Sequence, residues 1–156
     1  MAKEIERKFL MVEGASIPIP AVYKKFNIKQ GYIHGDIDKN VRIRLTTKKA
    51  VLGIKFTNEV ITDEFEFKIP RKDGLAIYAK TINRVEKKRL SFKRNKVHYD
   101  VDTYPNGVIV VEVEFKSVKQ MEAWVKPSWV GEEVTGFEQY SNVVMAKQNL
   151  TFKKNV

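Results

Sequence analysis

The sequence predicts an α+β fold dominated by antiparallel strands, on three observations. Stretches with strand-type alternation fill most of the chain. They follow one another at turn-length spacing, as hairpin succession requires. Only three segments carry a helical pattern, so a few helices are attached to a large sheet.

The first strand pattern is "KEIERKFL", residues 3–10. Side chains alternate along a strand, so Glu4, Glu6 and Lys8 share one face and Ile5 and Phe9 the other. Similar patterns follow at "NIKQGYI" (27–33), "NVRIRLTT" (40–47), "AVLGIKF" (50–56) and "VITDEFEFKI" (60–69). The series continues with "VEKKRLSFK" (85–93), "KVHYDVDTY" (96–104), "VIVVEVEF" (108–115) and "GEEVT" (131–135). Asn106-Gly107 reads as a two-residue hairpin turn, and Lys48-Lys49 and Arg94-Asn95 as further turns. A helix is predicted over 72–83, with Leu75, Tyr78 and Ile82 on one stripe. A second opens with the capping box Ser117…Gln120 and ends at Pro127; a third is capped by Ser141. Residues 14–26, with Pro18 and Pro20, form a connection holding one helical turn.

At 156 residues the chain reads as a single domain, 1–156, large enough to bury a core unaided. Its apolar fraction of 43% is ordinary, and no apolar run approaches the ~20 residues of a membrane helix. Charges begin at Lys3, so no signal peptide is read. The absence of cysteine excludes disulfides and thiolate metal sites and fits a reducing, cytoplasmic setting.

A net charge of +10 implies anionic partners. The runs "KKF", "TTKK" and "FKRNK" look like solvated turns and strand ends, not a nucleic-acid track, because aromatics are not interleaved with them. No phosphate-binding glycine loop is present, so side chains would have to hold any phosphate. With only His34 and His98, a histidine-built zinc site is nearly excluded, and neither histidine is read as part of the charged set.

That charged set recurs strand by strand. Arg42 and Arg44 lie opposite Val41, Ile43 and Leu45, and Lys55 lies opposite Leu52, Ile54 and Phe56. Glu64, Glu66 and Lys68 oppose Phe65, Phe67 and Ile69, while Lys87 and Arg89 share a face. Asp100 and Asp102 oppose Tyr99 and Val101, and Glu112 and Glu114 oppose Val111, Val113 and Phe115. Like charges two apart on a strand repel at roughly 7 Å. Closing the sheet sets acidic strands against basic ones and turns the apolar faces outward, giving a barrel with a wet, charged lumen. A solvated sheet laced with salt bridges would carry the same pattern. Clustered carboxylates without cysteine suit Mg²⁺ or Mn²⁺, and the arginines and lysines suit phosphate oxygens.

"EIERKF" resembles the E-x-E-x-K signature of the CYTH superfamily, the triphosphate tunnel metalloenzymes. The resemblance continues through "IKQGYI", "RIR", "GIKF", "EFEFKIP", "KKR", "YDVDTY", "VVEVEF" and "PSWVGEEVT…YSN". The single motif is weak; the ordered set is specific. It departs from the family's pattern at Gly136 and Gln139, where acidic and basic residues are expected. The resemblance implies a closed eight-stranded antiparallel β-barrel tunnel with a few helices packed outside. It implies phosphate binding by Lys8, Arg42, Arg44, Lys55, Lys87 and Arg89, with Tyr32 near the tunnel. Glu4, Glu6, Asp102, Glu112 and Glu114 would hold Mg²⁺ or Mn²⁺ or orient water, so that Glu4, Glu6, Lys8 and Glu114 carry the catalysis. Glu64 and Glu66 match tunnel positions, with a charge-balancing role equally open. The leading expectation is hydrolysis of inorganic tripolyphosphate. An adenylate cyclase, a thiamine or nucleoside triphosphatase and a non-catalytic polyphosphate-binding module are the alternatives, and oligomeric state stays open.

Overall fold

The structure is a computed structural model describing residues 2–58 and 60–153. In chain order its elements are β1 (Ala2–Met11), β2 (Lys24–Gly35), β3 (Lys39–Leu45), β4 (Ala50–Asn58) and β5 (Ile61–Ile69). Then come α1 (Arg71–Lys80), β6 (Asn83–Arg94), β7 (Val97–Thr103), β8 (Ile109–Phe115), α2 (Val118–Ala123), β9 (Val130–Glu133) and α3 (Asn142–Lys147). Eight strands form an antiparallel ring in the order β1-β5-β4-β3-β2-β6-β7-β8, returning to β1. One edge of β1 pairs with β8; the other pairs with β5 over residues 2–5 and then with the short β9. Between those two partners the Lys8 backbone N–H donates to Thr135 Oγ1 at 2.9 Å, so the seam stays hydrogen-bonded.

The register puts the charged faces inside. Lys8 lies opposite Glu112, which lies opposite Asp100; Glu6 lies opposite Glu114, which lies opposite His98. Across the barrel, Arg42 is level with Tyr32 and Gly53, and Lys55 with Glu64. The outward faces of β1, β6, β7 and β8 bury Phe9, Phe92, Tyr99, Val111, Val113 and Phe115 beneath Trp129, the loop residues Ala15 and Ile17, and Trp124 after α2. Burying side chains of this size contributes roughly 1.5–3 kcal/mol each, so the barrel is held by its coat and not by its lumen. No helix of the described residues is long and apolar enough to cross a membrane.

Several local expectations shift. In α1, Leu75 is exposed and Ile82 lies beyond the helix, nearly free in solvent. The packed stripe is Gly74, Ile77 and Tyr78, set over Ile43, Leu45 and Ala50. A Cβ on Gly74 would lie 2.3 Å from the Ala50 Cβ, so glycine is what lets the helix approach. Pro105-Asn106-Gly107 is a three-residue loop, with Gly107 N donating to Tyr104 O at 3.0 Å and Gly107 at φ 85°. Proline's fixed negative φ suits the first turn position of type I and excludes the primed turn that a two-residue loop needs. The β6–β7 turn falls one residue later than expected, at Asn95 and Lys96, both with positive φ. In α2, Ser117 caps Gln120 N, whereas the Gln120 side chain accepts from Lys116 N; the helix stops at Trp124, before Pro127. Residues 14–23 hold no helical turn. The third helix, capped by Ser141 as expected, sits over a barrel mouth and not on the outer wall.

Candidate active site

Two kinds of charge line the lumen. On one side Glu4 and Glu6 of β1 and Glu114 of β8 bring carboxylate oxygens within 4.8 Å of one another. Burial pushes the Glu6 carboxyl up to about 8, with Glu112 adding repulsion. Glu114 rises to about 7 through burial and the nearby Glu4, and Glu4 is raised by burial and by Glu64. Among the described residues, Lys55 is the one lysine or arginine at ion-pair distance from this trio, 3.3 Å from Glu4, and it is shared with Glu64 at 3.7 Å. Three carboxylates held together without a matching positive charge suit a hard, oxygen-binding cation.

The adjoining wall of β6, β7 and β8 neutralises itself. Lys87 lies 2.8 Å from Asp102, and Arg89 grips the same carboxylate at 2.7 Å while reaching Asp100 at 3.1 Å and Glu112 at 3.2 Å. Although burial opposes it, Lys87 and Arg89 hold Asp102 well below the usual aspartate range. Burial lowers Lys87 to about 8, partly opposed by Asp102. Asp100 also accepts from Ser91 Oγ and contacts His98 Nε2 at 3.0 Å.

A third set is cationic and incompletely matched. Arg44 hydrogen-bonds Gln30 at 2.9 Å and has no carboxylate partner at ion-pair distance among the described residues. Burial and the neighbouring Arg42 and Arg89 lower it to about 10. Arg42 reaches Glu64 at 3.1 Å, so Glu64 balances charge here, while Glu66 is exposed. Desolvation of the half-buried Lys8 lowers its affinity for protons, yet Glu112 and Glu6 carry it above the ordinary lysine value.

These groups meet in a cavity of about 60 Å³ lined by the trio Glu4, Glu6 and Glu114, by Lys8, Arg42, Arg44 and Lys55, and by Lys87, Arg89 and Glu112. At the mouth beside α3, Tyr32, Val85, Tyr104 and Val110 replace the charges, and Val143, Met145 and Ala146 of α3 pack on them. The rest of that mouth is a vestibule of about 140 Å³ beneath Ile37, Val60 and Phe137. Gly136 lines it too.

Of the expected residues, the barrel gathers Glu4, Glu6 and Glu114 into one cluster and sets Lys8, Arg42, Arg44 and Lys55 around the same cavity. Lys87, Arg89, Asp102 and Glu112 are there but engaged with one another. Tyr32 lines the vestibule, its hydroxyl 3.4 Å from Gln30 Nε2. His98, expected to stand outside the charged set, faces inward beside Asp100 and Glu114, in keeping with the two-residue spacing 98, 100, 102. Asn142 went unassigned because helical periodicity does not say which end of a barrel a helix will cover.

No family model matches the chain. The "Inorganic triphosphatase" of Acetivibrio thermocellus is 32% identical over 153 residues, covering 94% of this chain and 95% of that protein. A protein of the same name from Nitrosomonas europaea is 30% identical over 149 residues, covering 92% of this chain and 96% of its own length. This chain belongs to the inorganic triphosphatase family. Its solved member NE1496 superposes with a TM-score of 0.64 at 30% identity, covering 92% of this chain and 97% of that one. A putative adenylate cyclase from Bacillus halodurans, 16% identical with a TM-score of 0.53, shares the fold alone, over 78% of this chain and 86% of its own. These neighbours agree with the CYTH-type tunnel that the family's ring of eight strands forms.

Proposed function

We propose that this protein hydrolyses inorganic triphosphate to pyrophosphate and phosphate inside its barrel, with Mg²⁺ or Mn²⁺ as cofactor. The observation that carries the reading is the convergence of Glu4, Glu6 and Glu114 within 4.8 Å, in a cavity otherwise walled by Lys8, Arg42, Arg44 and Lys55. Triphosphate bridged to a cation satisfies both halves at once. The all-oxygen donor set fits such an ion, and its raised proton affinities are what a carboxylate cluster has when its positive charge is missing. Bound there, a divalent cation would neutralise phosphate oxygens and lower the pKa of bound water.

The chain's own residues divide the remaining work. Lys8, Arg42, Arg44 and Lys55 bind and orient the phosphates, with Tyr32 bordering them. Lys87 and Arg89, fixed by Asp102, Asp100 and Glu112, supply preorganised N–H donors that need no rearrangement on binding. Glu4, Glu6 and Glu114 hold the cation and orient water. Water adds to a terminal phosphorus, the bridging P–O bond breaks, and pyrophosphate, phosphate and a proton leave. No cysteine exists, and phosphoryl transfer needs positioning and charge neutralisation more than a covalent intermediate. The cysteine-free sequence suits a cytoplasmic enzyme.

Phosphate release from tripolyphosphate, ATP, thiamine triphosphate and pyrophosphate tests the reading. Tripolyphosphate should be turned over fastest and pyrophosphate barely, with EDTA abolishing release and Mg²⁺ or Mn²⁺ restoring it. Cyclic AMP formed from ATP without phosphate release would overturn it.

A further inference from the structure

We infer that Asn142, the first residue of α3, is a substrate contact whose side-chain amide donates a hydrogen bond to a phosphate oxygen where the two cavities meet. The inference rests on the triphosphatase reading and assigns a residue to it that lies outside the charged strands.

The orientation of the amide is chemically determined. Asn142 Oδ1 lies 3.3 Å from Lys87 Nζ and 2.8 Å from the Tyr104 hydroxyl. A lysine ammonium only donates, so the atom facing it has to be the oxygen; an exchanged amide would set N–H against N–H. The Nδ2 hydrogens are therefore turned away from Lys87, and among the described residues they have no acceptor. Nor is Nδ2 one of the sealed, unpaired polar atoms of the interior.

What remains for those hydrogens is the space Asn142 lines, and it lines both cavities. Glu6, Lys8, Arg42 and Lys55 are the other residues common to the two. Three of these are cations, so the occupant that satisfies them together with two neutral N–H donors is a multi-oxygen anion. A further lysine here would add repulsion to Lys8, Arg42, Lys55 and Lys87; an amide adds a donor without charge. The position is built with care: Ser141 Oγ caps Val144 N at 3.2 Å, and Val143, Met145 and Ala146 anchor the helix in the apolar end of the barrel. Delivered from outside the ring, the amide marks how far along the tunnel a phosphate sits.

The side-chain ¹⁵N–¹H resonances of Asn142, assigned by their loss in Asn142→Asp, read the contact directly. Adding tripolyphosphate to the wild-type protein should shift them. Asn142→Asp keeps an acceptor for Lys87 and Tyr104 but removes the donor and faces the phosphates with an anion. It should keep the wild-type melting temperature or exceed it, while KM for tripolyphosphate rises about 10-fold or more. Tyr104→Phe, which removes a donor to Oδ1 and leaves Nδ2 in place, should change KM much less. Unmoved amide resonances in a protein that binds tripolyphosphate, or an unchanged KM in Asn142→Asp, would overturn the inference and leave the triphosphatase reading intact. A defect in Tyr104→Phe equal to that of Asn142→Asp would overturn it as well, assigning Asn142 a purely structural role. A wild-type protein that neither binds nor hydrolyses tripolyphosphate would overturn both.

Discussion

The Glu4–Glu6–Glu114 cluster and the Asp100–Asp102–Glu112 wall are built from the same functional group on the same inner surface, yet they are opposite electrostatic objects. Asp102 has Lys87 and Arg89 within 2.8 Å, and its proton affinity falls far below normal. Glu6 and Glu114 face other carboxylates in a buried place, and theirs rise to about 8 and about 7. A carboxylate whose counter-charge is part of the fold is compensated there, and removing it strands the partner's charge. One whose counter-charge is missing costs stability until a ligand supplies it. On the proposed reading, the difference separates residues that hold the barrel's inner wall from those that would receive a cation.

The largest effect that could break this contrast is on stability. Asp102→Asn should destabilise the protein by about 3–5 kcal/mol in urea unfolding, because Lys87 keeps a buried charge without its partner. Glu114→Gln should unfold at the same urea concentration as wild type or a higher one. An Asp102→Asn variant as stable as wild type would erase the distinction. Turnover responds in the other direction: Glu114→Gln should lose at least ~100-fold in kcat, about 2.7 kcal/mol of barrel-supplied stabilisation of the transition state. A fully active Glu114→Gln would remove this carboxylate from the site.

Much of this was legible from strand periodicity. Two-residue spacing names the charged faces without any knowledge of pairing, and the repulsion along each face argues for closure. Periodicity is silent on which inner charges oppose one another, since that depends on register and shear across the whole ring. Asp102 and Glu112 therefore read as metal ligands on the same footing as Glu6 and Glu114, although Arg89 occupies both. The helix stripe in α1 misled for a related reason: Leu75 is the larger apolar residue, but the close approach to Ala50 is made by Gly74, which hydrophobic patterning does not count.

Smaller effects sharpen the comparison among the cations. Arg44, with Gln30 as its partner, resembles the unmatched carboxylates; Arg42, paired with Glu64, resembles the matched wall. Arg44→Ala should weaken tripolyphosphate binding by roughly 1.5–3 kcal/mol, the loss of a charge-assisted contact, with stability unchanged or improved. Arg42→Ala should weaken binding similarly and also lower stability, by leaving Glu64 to Lys55 alone. Equal stabilities of the two variants, followed by urea unfolding, would contradict the pairing.

The smallest effect is on the pH dependence of melting. The proton affinities of Glu6 and Glu114 are raised on folding, so their protonated forms are favoured in the folded state. Their penalty is absent at acidic pH and grows as pH rises from the unfolded carboxylate value toward about 8. The metal-free protein should therefore lose melting temperature across that window. Mg²⁺ should raise the melting temperature more at pH 8 than at pH 5, since protons compete with it for the same oxygens. Melting temperatures that rise steadily with pH in the absence of metal would contradict the assignment.

The central claim, that the Glu4–Glu6–Glu114 trio is the seat of the cation, is tested most directly by titrating Mn²⁺ into wild-type protein, Glu114→Gln and Asp102→Asn, with bound metal read by electron paramagnetic resonance. The account predicts saturable binding to wild type, retained in folded Asp102→Asn and greatly weakened in Glu114→Gln. Binding that survives Glu114→Gln unchanged and is lost in Asp102→Asn would contradict it and transfer the metal to the Asp100–Asp102–Glu112 set.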